Sequence, residues 1–417
     1  MTTKVGKAIF AILVTACVGH GPGEDPPPER HGSRVRPGIT VLLQDSMALV
    51  RGKRIALITN QTGVNEKGVS DIDLLVKSDA HLVRIFSPEH GLRGREDRPF
   101  VSNTADSATG IPVYSLYGKT VLAPPYSLLA DLDFLVFDLQ DVGTRTWTYV
   151  GTLIKAMRAA ARAHVPVIVL DRPNPLTGSH VQGAILDSTI ADTAVPYALF
   201  PMPLRHGLTM GELARFYNDT LALHATLHVI PARGWRRDLW WDETHLPWIP
   251  PSPNLPSFAS EIVYPALVPF ESTNLSVGRG TPEAFQQFGA PWLDAPRVVA
   301  ELSNLSLPGA RFRVTEFTPD HPTDGKYAGR RLSAVRIEVT DRDRLDVGRV
   351  GAALFWAVAK VHRDSLRVDT LDFDRRFGSP SLRSSLMQGL DPDAALDKTI
   401  PSDLAFERRS RRYLLYH

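Results

Sequence analysis

The sequence predicts an α/β protein, in which a Rossmann-like domain with a doubly wound parallel sheet precedes a smaller, mixed α+β C-terminal domain. Three observations support this prediction. Short apolar runs alternate with helical patterns from residue 38 onward, as in repeated strand–loop–helix units. Four of these runs end in a polar or acidic loop. Later in the chain, β-branched residues alternate with polar ones, which indicates strands of a second, mixed domain.

The first domain is predicted over residues 38–205 and contains four short buried strands. A helix begins after Ser70, whose hydroxyl is suited to cap it, and runs to Val76. An Ala-rich helix with one apolar face covers residues 149–163. The four strands are residues 54–59, 82–86, 134–137 and 167–170.

The second domain is predicted over residues 206–417. It opens with a helix over 209–218, which Thr209 caps together with Glu212 three residues on. The segment 235–255 contains four Trp and many Pro, so we expect an ordered loop at the domain junction. Two strands and a helix follow, at residues 311–316, 332–339 and 347–362.

The N-terminus predicts an exported protein. Two lysines precede an apolar stretch over residues 8–16, which is too short to span a bilayer. Residues 14–17 (VTAC) resemble a bacterial lipobox, in which Cys17 becomes the lipidated first residue of a mature protein held to the membrane by its acyl chains. An ordinary secretory signal with an incidental cysteine is the alternative. In either case the mature protein lies in the periplasm or at the cell surface. We therefore expect a signal peptide over residues 1–17 and a disordered tether over residues 18–37.

The composition excludes several classes of function. The 417 residues carry a net charge of only +2, so we expect no nucleic-acid partner. Cys17 is the single cysteine, which excludes an internal disulfide, a Cys-based zinc site and an iron–sulfur cluster. The GxxxxGK[ST], HExxH and GxSxG patterns are absent, and no GxGxxG follows a predicted strand, so we expect neither a cofactor nor a metal. Carboxylates, amides, arginines and aromatic residues remain at the loop tips, and this set suits a carbohydrate.

The end of the second predicted strand carries the most informative residues. Apolar residues precede Pro88, which ends ladder pairing because it has no N–H to donate. Glu89 and His90 then follow side by side at the edge of the sheet where ligands bind. A carboxylate and an imidazole at a strand exit are candidates for proton transfer. The alternative is a loop glutamate paired with Arg93 or Arg95.

Five motifs extend this pattern along the chain. They are FSPEHG at 86–91, DLQDVGTR at 138–145, LDRPNP at 170–175, PSPNLP at 251–256 and FESTNLSVGRGT at 270–281. In this order they resemble the DUF1343 family, which includes the NamZ exo-β-N-acetylmuramidases. The resemblance covers nearly everything from about residue 38 to the C-terminus.

The resemblance implies a Rossmann-like N-terminal domain, a smaller C-terminal domain and an active-site cleft between the two. It also implies release of terminal N-acetylmuramic acid from the non-reducing end of peptidoglycan fragments, so that a peptidoglycan-derived saccharide is the expected partner. Two alternatives stay open. One is another hexosamine specificity on the same scaffold, and the other is a non-catalytic envelope protein that binds wall fragments.

Glycoside hydrolysis needs a proton for the leaving oxygen and a group that stabilises positive charge on the sugar. We assign the general acid to Glu89, and expect burial in the cleft to raise its pKa. His90 either orients Glu89 and shares its proton or is a structural histidine held by the backbone.

The second carboxylate is assigned to Glu271, in a loop rich in Ser, Thr and Asn. Asp138 and Asp141 are the other candidates in matched motifs. Glu271 could instead organise its loop by accepting backbone N–H bonds from Thr273 or Asn274. The sequence leaves retention or inversion of the anomeric centre open, and also a role for the acetamido group of the substrate.

Recognition of muramic acid requires a guanidinium group for the lactyl carboxylate. Arg145, Arg172 and Arg279 lie in matched motifs, and the alternative for each is an internal ion pair with an acidic neighbour. Amides are expected to contact hydroxyl and acetamido groups, and an aromatic ring is expected to stack on the sugar. The other predicted binding residues are Asn60, Gln61, Asp138, Asp141, Tyr149, Asp171, Asn174 and Asn274.

Overall fold

The computed structural model describes Met1 and residues 34–97, 102–118 and 123–417. The predicted signal peptide and Cys17 lie outside the described residues. So does the predicted tether as far as residue 33, whereas residues 34–37 are packed rather than disordered. Val35 is buried, and its N–H donates to the carbonyl of Thr244. No helix among the described residues has the length and apolar character needed to cross a membrane.

A seven-stranded sheet dominates the fold. Its strand order is β3-β4-β2-β1-β5-β6-β7, and every neighbouring pair is parallel except β3 with β4. This confirms the predicted Rossmann-like α/β class. The strands are β1 (Arg54–Thr59), β2 (His81–Ser87), β3 (Thr104–Ala105), β4 (Pro112–Ser115), β5 (Phe134–Asp138), β6 (Val167–Leu170) and β7 (Leu227–Ile230).

Both faces of this sheet are covered. In β1, Ile55 and Leu57 pack into one apolar cluster while Ala56 and Ile58 pack into another. Successive side chains of a strand point to opposite faces, so alternate membership in two cores means that neither face is open to water. The covering helices of this part are α1 (Gly38–Asp45), α2 (Asp71–Val76), α3 (Tyr149–Arg162) and α4 (Met210–Thr220).

The predicted helix caps are present. Ser70 Oγ accepts a hydrogen bond from the N–H of Ile72 at 3.2 Å. At the start of α4, Thr209 Oγ1 accepts from the N–H of Glu212 at 3.2 Å, and Glu212 Oε2 accepts from the N–H of Thr209 at 3.0 Å. This reciprocal capping satisfies two backbone donors at a buried helix end.

The remaining residues form a smaller mixed α+β part. Its antiparallel sheet has the order β8-β10-β9. Helix α7 is its central element, and nearly every residue from Val347 to Ala359 is buried. The strands are β8 (Gln287–Ala290), β9 (Ala310–Phe317) and β10 (Leu332–Val339), and the helices are α5 (Phe258–Leu267), α6 (Ala295–Ser303), α7 (Val347–Val361), α8 (Thr370–Phe377), α9 (Pro380–Met387), α10 (Pro392–Leu396) and α11 (Ile400–Ser410).

The two parts are closely connected. The large sheet continues past residue 205, because β7 pairs in parallel with β6. Ser33–His417 form one compact unit. Late in the chain, the hydroxyl of Tyr416 donates to Asp171 at 2.7 Å and accepts from the N–H of Ala232 at 2.8 Å. The C-terminal residues therefore complete a hydrogen-bond network at the end of β6.

Candidate active site

A polar cavity lies beyond the carboxyl end of β2. Its inner part has a volume of about 190 Å³ and adjoins an outer part of about 430 Å³. The lining comes from the loops after β2 and β5 and from the C-terminal part of the chain, as expected for a ligand site of an open α/β sheet. The residues that line both parts are Glu89, His90, Asp97, Tyr117, Glu271, Arg279 and Arg376.

The backbone after β2 brings Glu89 and His90 to this cavity. His90 has a left-handed φ of +68°, and Gly91 follows with +69°. Such a conformation is costly for a residue with a Cβ, and it occurs preferentially at functional sites. Glu89 is half-buried, and Thr148 Oγ1 donates to its Oε2 at 2.6 Å. Arg93 does not pair with Glu89 as the alternative proposed, because it binds Asp106 at 2.5 Å.

His90 is held by the backbone. Its Nδ1 lies 2.8 Å from the carbonyl oxygen of Glu96 and 4.0 Å from Asp97 Oδ1. A carbonyl oxygen only accepts, so Nδ1 carries a proton and donates to Glu96. The ring of Trp147 lies beside it, with centroids 6.1 Å apart.

Tyr117 is an aromatic neighbour of Glu89. Burial raises the pKa of the Tyr117 phenol, and the charge of Glu89 and a hydrogen bond to it raise that pKa further. The phenol therefore stays protonated and donates toward the carboxylate. Glu89 thus has two hydroxyl neighbours, Tyr117 and Thr148.

Glu271 is bound by two arginines. Arg279 Nε donates to Oε1 at 2.6 Å, and Arg376 Nη1 donates to Oε2 at 3.1 Å. The backbone bonds from Thr273 and Asn274 that the alternative required are absent, since these N–H groups donate to the carbonyls of Phe270 and Arg367. The carboxylate therefore organises the cationic side of the cavity.

Asp97 is a second ionised carboxylate at the cavity. Asn254 Nδ2 donates to its Oδ2 at 2.7 Å, and Arg279 Nη1 lies 3.6 Å away. Burial acts against ionisation, but hydrogen bonds from Thr323 and Asn254 and the charge of Arg279 lower the pKa of Asp97. Asp97 is therefore negatively charged at neutral pH.

Several predicted binding residues lie beneath the loops rather than at the cavity. Asn60 Nδ2 donates to the hydroxyl of Tyr149 at 2.7 Å, and both side chains are buried. Gln61 Nε2 donates to the carbonyl of Pro250 at 3.0 Å. Neither amide lines the cavity, and neither does Tyr149. These side chains form internal hydrogen bonds that hold the polar loop after β1.

Asp138 and Arg172 form a buried ion pair at 2.5 Å. Burial raises the pKa of Asp138, while Arg172 acts in the opposite direction. Asp141 accepts from the N–H of Gly143 at 2.8 Å and lies 3.4 Å from His206 Nε2. None of these side chains lines the cavity. They stabilise the loops that follow β5 and β6.

The other predicted residues also bind protein groups. Arg145 donates to the carbonyls of Arg375 and Arg376, at 2.6 and 2.7 Å. The side-chain amide of Asn174 donates to the carbonyl oxygen of Leu208 at 2.9 Å. That of Asn274 donates to the carbonyl oxygen of Ser365, also at 2.9 Å. Asp171 accepts from Tyr416, Thr209 and Gly211, each at 2.7 Å. Of the predicted site residues, the cavity is lined by Glu89, His90, Glu271 and Arg279.

The lining also contains residues that carried no role in the sequence analysis, among them Thr148, Asn254, Asp97, Tyr117 and Arg376. Thr148 closely follows one motif, and Asn254 lies within another, so their positions gave a signal that was not used. Asp97, Tyr117 and Arg376 lie outside all five motifs. Among the described residues, no group of three or more His, Cys, Asp or Glu side chains is arranged to hold a metal ion.

Comparison with known proteins identifies the family. Residues 55–259 match the family model described as exo-beta-N-acetylmuramidase NamZ, N-terminal, and residues 262–416 match its C-terminal counterpart. The chain is 38% identical to a peptidoglycan beta-N-acetylmuramidase NamZ of Bacillus subtilis (strain 168), over 92% of each chain.

Solved structures agree. Two crystal structures of DUF1343 family proteins from Bacteroides fragilis NCTC 9343 superpose with TM-scores of 0.84 and 0.74, at 34% and 29% identity. Each covers 92% of this chain and 99% of the other. The chain therefore belongs to the exo-β-N-acetylmuramidase NamZ family, the DUF1343 proteins.

Proposed function

We propose that this protein is an exo-acting glycoside hydrolase that removes terminal N-acetylmuramic acid from the non-reducing end of peptidoglycan fragments. Membership of the NamZ family supports the reaction and its substrate. The observation that carries the proposal is the cavity itself, where Glu89 from the large sheet shares a lining with two carboxylates and two arginines.

Glu89 acts as the general acid in this proposal. The Thr148 hydroxyl donates to Oε2 at 2.6 Å and Tyr117 donates to the same carboxyl group, so these two hydroxyls orient Glu89 toward the glycosidic oxygen. The carboxyl group is half-buried at the end of a rigid strand, so it is positioned before the substrate binds. Proton transfer from Glu89 to the bridge oxygen accompanies cleavage of the bond to the sugar, and addition of water to the anomeric carbon, with loss of one proton from that water, completes the hydrolysis.

The developing positive charge on the sugar is stabilised by the ionised carboxylates. Glu271 is the predicted second carboxylate, and its two guanidinium partners reduce its nucleophilicity. Asp97 is the other ionised carboxylate of the cavity. The anomeric configuration of the first product, followed by NMR in Glu271→Gln and Asp97→Asn variants, identifies which of them acts on the sugar.

The test of the proposal is product analysis by mass spectrometry on peptide-free glycan with an N-acetylmuramic acid at its non-reducing end. We expect the wild type to release free N-acetylmuramic acid. The Glu89→Gln variant removes the transferable proton but keeps the shape, so we expect kcat to fall by at least about 100-fold while the glycan still binds.

Glu301→Gln is the matched control, because Glu301 pairs with Lys360 at 2.8 Å in a partly exposed ion pair outside the cavity lining. We expect it to retain full activity. Absence of turnover by the wild type, with unchanged binding in Glu89→Gln, would instead support a non-catalytic protein that binds wall fragments.

The proposal also places the protein in the cell envelope, where its substrate occurs. We propose that it is anchored there through a lipidated Cys17. Metabolic labelling with an alkyne fatty acid is expected to mark the wild type and not Cys17→Ser. Equal labelling of the two proteins, or labelling of neither, would contradict the anchor.

A further inference from the structure

Arg376 stands at the end of α8 and lines both parts of the cavity. Its Nη1 donates to Glu271 at 3.1 Å, and its Nε donates to Asp372 at 3.1 Å. Its guanidinium carbon lies 4.3 Å from the centroid of the Tyr197 ring. Two carboxylates and a ring therefore fix the plane of this guanidinium before any ligand binds.

One nitrogen of Arg376 is left over. Within the part of the chain that the structure describes, Nη2 has no hydrogen-bond partner. The side chain is 18% exposed, and its accessible surface faces the cavity that it lines. Arg376 thus offers a preorganised cationic donor to whatever occupies this space.

The arginines predicted from the sequence already bind other protein groups. Arg279 uses Nε and Nη2 on Glu271 and Nη1 on Thr323, the latter at 3.0 Å. Arg145 and Arg172 are buried and bind backbone carbonyls and Asp138 respectively. Among the described arginines that line the cavity, Arg376 is the one with an unused guanidinium nitrogen.

We propose that Arg376 binds the lactyl carboxylate of the terminal sugar and thereby selects N-acetylmuramic acid over N-acetylglucosamine, which lacks the lactyl group. This inference rests on the proposed function, since it takes the substrate class from there. Glu271 gains a second role in this scheme, because it binds Nη1 of Arg376 and leaves Nη2 for the ligand.

Paired ligands test the inference. The probes are free N-acetylmuramic acid and its lactyl amide, which has the same shape without the charge, and binding is measured by calorimetry at pH 7. We expect the wild type to prefer the acid by roughly 10- to 100-fold, because a charged hydrogen-bonded pair is lost with the amide. Arg376→Gln is expected to remove that preference by weakening acid binding alone.

Two further variants make the result of the binding assay interpretable. Arg376→Lys retains a positive charge beside Glu271 and Asp372 and so preserves folding. Lysine lacks the forked guanidinium group, so we expect its preference for the acid over the amide to be below about 10-fold. Arg375→Gln is the neighbouring control, because Arg375 binds Asp192 at 2.9 Å and does not line the cavity, and it should behave as wild type.

An acid preference that survives in both Arg376 variants would overturn the inference, as would an equal loss of affinity for acid and amide. The binding assay does not depend on turnover. Loss of the Arg376 effect therefore remains distinguishable from failure of the proposed hydrolysis, which is judged on the products of the wild type.

Discussion

Glu261 is a buried carboxyl group that the catalytic proposal does not use. It is 2% exposed, and the indole N–H of Trp248 donates to its Oε2 at 2.9 Å. Burial raises its pKa to about 8, with the charge of Asp141 acting in the same direction. Glu261 is therefore mainly protonated at neutral pH, and within the described part of the chain no cationic side chain forms an ion pair with it.

Glu261→Gln should change how stability depends on pH. The pKa is higher in the folded state than in the unfolded chain, where the ordinary value is 4.5. The contribution of Glu261 is therefore fully present below about pH 4.5 and is lost as the pH rises to about 8. Relative to the variant, we expect the wild type to lose about 1.4 kcal/mol of unfolding free energy per pH unit in this window.

Urea unfolding at pH 5, 6.5 and 8 measures the difference between the two proteins. The amide keeps an acceptor for Trp248, so the comparison isolates the titration. Parallel stability profiles for wild type and Glu261→Gln would show that Glu261 ionises in the folded state as freely as in the unfolded one.

At the same scale, the sequence could locate Glu89 and His90 but not the lining residues Asp97, Tyr117 and Arg376. Glu89 follows an apolar run and a proline, and both features are local. Asp97, Tyr117 and Arg376 reach the cavity through tertiary packing, which leaves no local pattern. Conversely, Asn60 and Arg145 have the polar character of binding residues, yet they satisfy buried loop groups, and the sequence does not distinguish these two uses of one side chain.

At the scale of elements, α7 depends on close approach at two glycines. A Cβ on Gly348 would lie 2.4 Å from the Cα of Gly183, which is backbone and cannot rotate away. A Cβ on Gly351 would lie 3.0 Å from the carbonyl oxygen of Ala266. The first contact is impossible without moving a segment, whereas the second requires only a small shift.

Gly348→Ala is therefore expected to destabilise the protein by about 1–3 kcal/mol. Gly351→Ala should be nearly neutral, because the gain in helix propensity of about 0.8 kcal/mol offsets the tighter contact. Chemical denaturation of both variants at one pH measures their unfolding free energies and so ranks their stability. Equal unfolding free energies for the two variants would mean that the backbone at Gly183 moves away from the new Cβ at no cost in stability.

The elements most reliably predicted were those with strong internal periodicity. β1 and β6 have the predicted bounds, and α7 begins where its pattern begins. β7 was not predicted, because its four residues include a histidine and lack an extended apolar run. Its strand character comes from pairing with β6, a long-range contact that a local pattern does not report.

At the scale of the molecule, one apolar cluster extends through both parts of the chain. It contains residues of the large sheet, such as Phe86 and Phe137, together with Phe288 and Phe355 from the C-terminal part. Cores that are continuous in this way unfold together, because exposing one part also exposes the surface it covers on the other.

Differential scanning calorimetry should therefore show a single transition for residues 34–417, with equal calorimetric and van't Hoff enthalpies. A second, separate peak would show that the sheet and the C-terminal part are thermodynamically independent despite their shared core.

The bond between Tyr416 and Asp171 joins positions that are 245 residues apart. During synthesis, the carboxylate at the end of β6 must wait for this partner until almost all of the chain has left the ribosome. Until then Asp171 has only the bonds from Thr209 and Gly211, so the hydrogen-bond network at the end of β6 is completed last.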